Sequence, residues 1–257
     1  MPRISRKNIN SRYIHVISQG INKEYIFLEK IHKNEYIKVL KETIKNYANT
    51  KVIAYCIMDN HVHLLFYCEN VKDLSKIMSI VNTTYAIFYN KNKNRVGYVF
   101  RNRYYTQQIS DENHLFNVFA YIHKNPVKAG MVKKESDYKF SSYNSYLNKN
   151  VDENISKLIF NERDYLQAFK EVHNRNFDEN DVIDIKEDMK NLNEKMIEYI
   201  SKFCDEYDCS IENIKRNNYL IVILAKDLKN KFNVNNKMFA EYIGIGKNRI
   251  SILNSKK

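Results

Sequence analysis

The chain has 257 residues and a formal charge of +12 at neutral pH; no stretch nears the roughly 20 uninterrupted apolar residues of a membrane span, and the opening MPRISRKNINSRY lacks a signal-peptide core, so a soluble, cytoplasmic, nucleoid-associated protein is expected. The four cysteines (Cys56, Cys68, Cys204, Cys209) follow no zinc spacing and read as reduced, packed thiols. The charge runs in blocks, +13 over residues 1–150, −6 over 151–200 and +5 over 201–257: two basic modules suit a polyanion such as nucleic acid, although a basic surface kept for solubility would give the same composition.

Taken in chain order, Tyr13 to Ser18 reads as a strand, and Glu35 to Tyr47 carries Ile37, Leu40, Ile44 and Tyr47 at helical spacing. Lys51 to Met58 and His61 to Cys68 are two β-rich runs joined by the two-residue turn Asp59-Asn60. Leu74, Ile77, Met78, Val81, Tyr85 and Phe88 then mark an amphipathic helix, and strand character resumes over Val96 to Ile109. This β-α-β-β-α-β order predicts an α+β, ferredoxin-like domain. Asp111 is a candidate N-cap for a further helix running to about Asn125, where Pro126 disfavours helical geometry in the residue before it. The expected organisation is a catalytic domain over residues 1–149, an acidic linker with helical pieces over 150–191, and an all-α domain over 192–257.

Strand alternation in His61-Val62-His63-Leu64-Leu65-Phe66 puts both histidines on one face and Val62, Leu64 and Phe66 on the other. Two neutral imidazoles on one face suit a divalent metal, but two ligands are not a site, and alone such a pair is more often simply packed. In Tyr121-Ile122-His123-Lys124-Asn125-Pro126 a phenol and an amide lie four residues apart on one helix face. Asn125 could serve as a third ligand, with the Tyr121 hydroxyl reaching a phosphate polarised by the same metal. Read alone, in a chain with 20 tyrosines, this helix fits an ordinary core tyrosine and a helix-ending asparagine better.

The runs MDNHVHLLF at 58–66, GYVFRNRYY at 97–105, YIHKNPVKAGMV at 121–132 and SSYNSY at 141–146 closely resemble the single-tyrosine HUH transposases, the IS200-like family, in particular its REP-associated tyrosine transposase branch. The resemblance spans roughly residues 8–147 in consistent order. It implies a ferredoxin-like fold, with His61 and His63 binding Mg²⁺ or Mn²⁺, Asn125 completing the metal site, and Tyr121 attacking single-stranded DNA that carries hairpin elements. A phenol with an ordinary pKa near 10 is a weak nucleophile at neutral pH and needs such a polarised phosphate. Arg101, Arg103 and Tyr104 mix cations with an aromatic ring, as a surface tracking single-stranded DNA would. His15, on the first strand, is expected to support the metal ligands or the core and not to coordinate.

Near the C-terminus, NNKMFAEYIGIGKNRISIL at 235–253 has the form of a helix-turn-helix, with Ala240 between the helices, Gly244 at the turn, and Lys247, Asn248 and Arg249 on a recognition helix. It resembles the DNA-binding end of the bacterial initiator DnaA, which implies duplex-DNA contact; a helical packing or dimerisation unit is the alternative, less favoured given the local charge of +5. The function expected is metal-dependent cleavage and strand transfer of single-stranded DNA through a 5′-phosphotyrosine, by a monomer or homodimer. The alternative is a non-catalytic DNA- or RNA-binding regulator.

Overall fold

The computed structural model describes residues 10–101, 103–161, 163–175, 182, 186–232 and 236–246. Strands β1 (Tyr13–Gln19), β2 (Thr50–Ile57), β3 (His61–Cys68) and β4 (Tyr105–Gln108) form one antiparallel sheet in the order β2-β3-β1-β4. Helices α1 (Lys30–Ile44) and α2 (Val71–Asn92) cover one face, burying Tyr36, Leu40, Ile77 and Val81 against Ile14, Val16, Val62, Leu64 and Phe66. This is the ferredoxin-like β-α-β-β-α-β arrangement that the sequence predicts. Helix α3 (Glu112–Lys128), capped by Asp111 accepting from the His114 N–H, covers the opposite face and packs Phe116, Phe119 and Tyr121 towards Cys56 and Leu65. A register shift between Val52 and Ala54 inserts a bulge into β2: Val52 packs with the first core, Ile53 and Ala54 with the second.

Three expectations need correction. The last strand covers only Tyr105 to Gln108, not Val96 to Ile109, because β1 pairs with it from Ile14 to Ile17 and beyond that offers a single bridge, Gly20 to Phe100. The helix after Asp111 continues through Pro126 to Lys128; the proline removes one backbone donor within the last turn, and the helix closes through Ala129 N–H to Asn125 C=O and the left-handed Gly130. The first part of the stretch expected as an acidic linker with helical pieces is packed: α5 (Glu153–Phe160) and α6 (Tyr165–Asn174), with α4 (Tyr143–Leu147) before them, build the outer half of the second core. Ile159, Phe160, Ala168, Phe169 and Val172 are buried there, and the Phe169 ring stacks on Tyr146 with centroids 5.7 Å apart. Much of the acidic character sits at helix starts, where Asp152 and Asp164 accept backbone N–H groups of α5 and α6.

The chain divides into two compact units, Met1–Ile183 and Asp184–Lys257. The described elements of the second are all helices: α7 (Lys186–Glu206), α8 (Ile211–Arg216), α9 (Asn218–Phe232) and α10 (Asn236–Ile243). Within it Met196, Ile200, Phe203, Ile214, Ile221, Leu224, Leu228, Phe239 and Ala240 are buried. Gly244 follows α10 with a φ of 75°, a conformation that favours glycine at a turn. Lys247, Asn248 and Arg249 lie outside the described residues.

A buried chain of hydrogen bonds ties α3 to its surroundings. The His173 Nδ1 is 2.8 Å from the Phe169 carbonyl oxygen, which can only accept, so that nitrogen carries the proton. His173 Nε2 therefore accepts from His123 Nδ1 at 2.9 Å, and His123 Nε2 accepts from the Ser142 hydroxyl at 2.7 Å. The Ser142 oxygen in turn accepts the Tyr55 N–H of β2 at 2.9 Å. Both imidazoles are held neutral: burial, then the neighbouring His173, pushes the His123 pKa well below the usual imidazole range, and burial lowers that of His173 to about 4.

Two outcomes follow from this packing. Phe169→Ala lowers the stability of the first unit in urea unfolding by about 3–5 kcal/mol, where the same change in a solvated linker would cost under about 0.5 kcal/mol. Because His173 ionises less readily folded than unfolded, the stability it allows is full above pH 7 and is lost as pH falls from about 6.5 towards 4, with a loss of roughly 3 kcal/mol at the lower end. Urea unfolding measured across that window reads the slope, and His173→Gln flattens it.

Candidate active site

The site lies on the α3 face of the sheet. The β1–β3 register sets Gln19 opposite His61 and Ile17 opposite His63, while β4 sets Gln107 opposite His15. With a side-chain period of two, His15, His61, His63 and Gln107 all fall on this one face. His61 and His63 are buried, with their Nε2 atoms 3.0 Å apart. His63 Nδ1 meets His15 Nε2 at 3.0 Å, and His15 Nδ1 lies 3.4 Å from Gln107 Oε1. His61 Nδ1 is 2.6 Å from Asn60 Oδ1. Burial, followed by the neighbouring His61 and His15, holds the His63 pKa well below the usual range, and burial lowers that of His15 to about 4.

The turn that carries Asn60 and precedes His61 is clamped from several sides. The Asn60 carbonyl accepts from the Gly20 N–H at 2.9 Å and the Asp59 carbonyl from the Phe27 N–H at 2.8 Å. Gly20 is required by close approach, because a Cβ there would collide with the Glu24 carbonyl. The Asp59 carboxylate pairs with Lys33 Nζ of α1 at 2.6 Å; that ammonium, itself buried, also donates to Tyr138 Oη at 3.0 Å, and Tyr138 donates to the Ile57 carbonyl at 2.5 Å. A buried ammonium so engaged anchors the turn in one geometry.

Facing the sheet, α3 brings Tyr121 against the histidines: its ring lies edge-on to His63 with centroids 5.6 Å apart, and the residue is 1% exposed. Asn125, one turn on and also buried, donates from Nδ2 to the Tyr121 carbonyl at 2.9 Å, leaving Oδ1 as its acceptor atom. The Lys128 ammonium sits 4.6 Å from the centre of the Tyr121 ring.

A divalent ion fits these residues on a simple distance test. Two nitrogens at about 2.1 Å from one ion and at right angles about it stand about 3.0 Å apart, the separation found for the two Nε2 atoms. Two lone pairs facing each other at this distance repel unless a proton or a cation lies between them. Among the described residues no group of three His, Cys, Asp or Glu converges as a metal cage, and His15 is engaged by His63, so any further ligand would be an amide oxygen such as Asn125 Oδ1, a phosphate oxygen or water.

The residues expected to contact nucleic acid separate. Arg101 and Arg103 are exposed, in the segment leading into β4. Tyr104 is half-buried against the first core with its hydroxyl enclosed. Tyr98, to which the sequence reading gave no role, is 83% exposed beside them; an aromatic ring that the fold leaves outside has no periodicity signal to reveal it.

Comparison with known proteins adds to this geometry. Residues 8–125 match the family described as transposase IS200 like. A Haemophilus influenzae protein named as a REP-associated tyrosine transposase is 31% identical over 120 residues, covering 43% of this chain and 68% of that one. A solved structure of a REP-associated tyrosine transposase bound to a REP hairpin matches with a TM-score of 0.50 at 16% identity, over 59% of this chain and 88% of that chain, a likeness of fold. The sheet order, the ordered motifs and these matches agree, and the chain belongs to the IS200-like transposases, of the REP-associated tyrosine transposase type.

Proposed function

We propose that the protein cleaves and rejoins single-stranded DNA, with Tyr121 as nucleophile and His61, His63 and Asn125 holding Mg²⁺ or Mn²⁺. The observation that carries this reading is the Tyr121 ring set edge-on to His63, one of two imidazoles whose Nε2 atoms are spaced as ligands of one ion. A bound divalent cation would supply one thing, withdrawal of charge from a non-bridging phosphate oxygen.

The Tyr121 hydroxyl loses its proton and attacks phosphorus; the phosphorus–O3′ bond breaks, and the departing 3′ oxygen takes up a proton. The products are a 5′-phosphotyrosine and a free 3′-OH. A second 3′-OH attacking the same phosphorus reverses the step and restores the phenol, so bond energy is retained and no nucleotide cofactor is consumed. Tyr121 is enclosed, and the ammonium of the exposed Lys128 lies over its ring, where it would meet a phosphate brought to the phenol. Arg101, Arg103 and Tyr98 give the incoming strand two cations and one open ring. The hairpin carried by the structurally similar transposase makes a hairpin-flanked single strand the substrate to try. Duplex contact through Lys247, Asn248 and Arg249 of the second unit is part of the same proposal, as is a monomer or homodimer as the active form.

Incubation with labelled single-stranded DNA from the flanks of the protein's own gene, with Mg²⁺ or Mn²⁺, gives a covalent protein–DNA band on a denaturing gel. EDTA, Tyr121→Phe and the His61→Ala/His63→Ala pair each abolish it. Tight binding with no such band on any flank would favour the regulator reading. Tyr98→Ala weakens binding of the single strand by roughly tenfold, in keeping with about 1–3 kcal/mol for one stacked base, and leaves the folded state unchanged. Fluorescence anisotropy with a dye-labelled strand measures it.

A further inference from the structure

The two imidazoles that face each other do so because their other nitrogens are occupied. His61 Nδ1 is 2.6 Å from Asn60 Oδ1, and a carbonyl oxygen only accepts, so the ring proton sits on Nδ1 and the Nε2 lone pair turns towards His63. On the other side Gln107 Oε1 faces His15 Nδ1, His15 Nε2 faces His63 Nδ1, and His63 Nε2 faces His61. Read from the glutamine inward, each acceptor assigns the next proton outward from the centre. The relay crosses three strands, β4 to β1 to β3, and its order follows from the register.

We propose that Asn60 is a positioning residue that fixes the His61 proton on Nδ1, and that Gln107, acting through His15, is one that supports the His63 tautomer matching a bound ion. The proposal rests on the metal reading given above. With an ion between the two Nε2 atoms, His61, His63 and His15 all hold their protons on Nδ1. In the metal-free protein the two lone pairs would oppose each other. A neutral array relieves this by moving one proton within each of two rings: His63 and His15 transfer theirs from Nδ1 to Nε2, and the Gln107 amide turns to present N–H in place of oxygen. Every ring stays neutral and no proton is gained or lost. His61 keeps its Nδ1 proton in both states because Asn60 does not change.

The protein has seven histidines, few enough for a long-range ¹H–¹⁵N spectrum of ¹⁵N-histidine-labelled material to read each tautomer. In metal-free wild type, His61 is expected with its proton on Nδ1, and His63 and His15 with theirs on Nε2. Addition of Mg²⁺ moves the last two to Nδ1. Asn60→Ala removes the single His61 tautomer and raises the dissociation constant for Mn²⁺ alone, measured by electron paramagnetic resonance of the free ion, by about tenfold or more. Asn60→Asp, which keeps an accepting oxygen, restores both. Gln107→Leu weakens Mn²⁺ by a similar factor and leaves the His61 signal unchanged. Circular dichroism checks that each variant is folded, and the aspartate variant carries the test if the alanine variant is not. A His61 proton on Nε2 in wild type, a His61 tautomer indifferent to Asn60→Ala, or Mn²⁺ affinities within about twofold of wild type in both variants overturns the proposal. If wild type binds no Mn²⁺, the metal reading falls, and the His61 tautomer in the metal-free protein still decides the part assigned to Asn60.

Discussion

The register between β1 and β3 is the constraint on which the remainder of the site depends. It places Gln19 beside His61 and Ile17 beside His63, and through β4 it puts Gln107 beside His15. A slip of one residue would turn His61 and His63 into the α1–α2 core and bring Val62 and Leu64 to the face of Tyr121. The register is held by burial on both faces, since Ile14, Val16, Val62, Leu64 and Phe66 fill one core completely. It is pinned at its end by the hairpin turn, with the Lys33–Asp59 pair and the backbone bonds to Gly20 and Phe27. The chemistry is thus specified by apolar residues that take no part in it.

The second requirement is that α3 be held at a fixed height over the sheet. Its inward face carries Tyr121 and Asn125 at one-turn spacing. Beside them, His123 bonds to Ser142 and His173, and so connects β2, α3 and α6 through groups that remain neutral. Burying three polar side chains is tolerable because each donor and acceptor along the line is matched.

The inner architecture was legible in the sequence, because periodicity reports local burial. Alternation gave β3 its observed bounds of His61 and Cys68, and helical spacing found α2 and the shared face of Tyr121 and Asn125. What escaped was set by contacts distant in sequence. Nothing local tells that β4 must stop where β1 runs out of partners, or that His123 reaches a histidine fifty residues later. Helix α5 is obscured by its charge: Ile155 and Ile159 recur at helical spacing, but acidic residues at the helix starts give the stretch the look of a linker with helical pieces. His15, expected to serve the core or the neighbouring histidines, bonds to His63.

The packing of α5 and α6 also bears on where the chain can be divided. The family match ends at residue 125, yet the ring of Phe119 lies against Tyr146, Phe160 and Phe169, all of them beyond that point. A gene fragment ending at residue 149 would retain every motif of the catalytic face and still open half of the core beneath α3. The smallest separable piece with an intact interior extends past Asn174, so recombination that exchanged the C-terminal unit for another module would have to cross over downstream of α6 and not at the edge of the recognisable motifs.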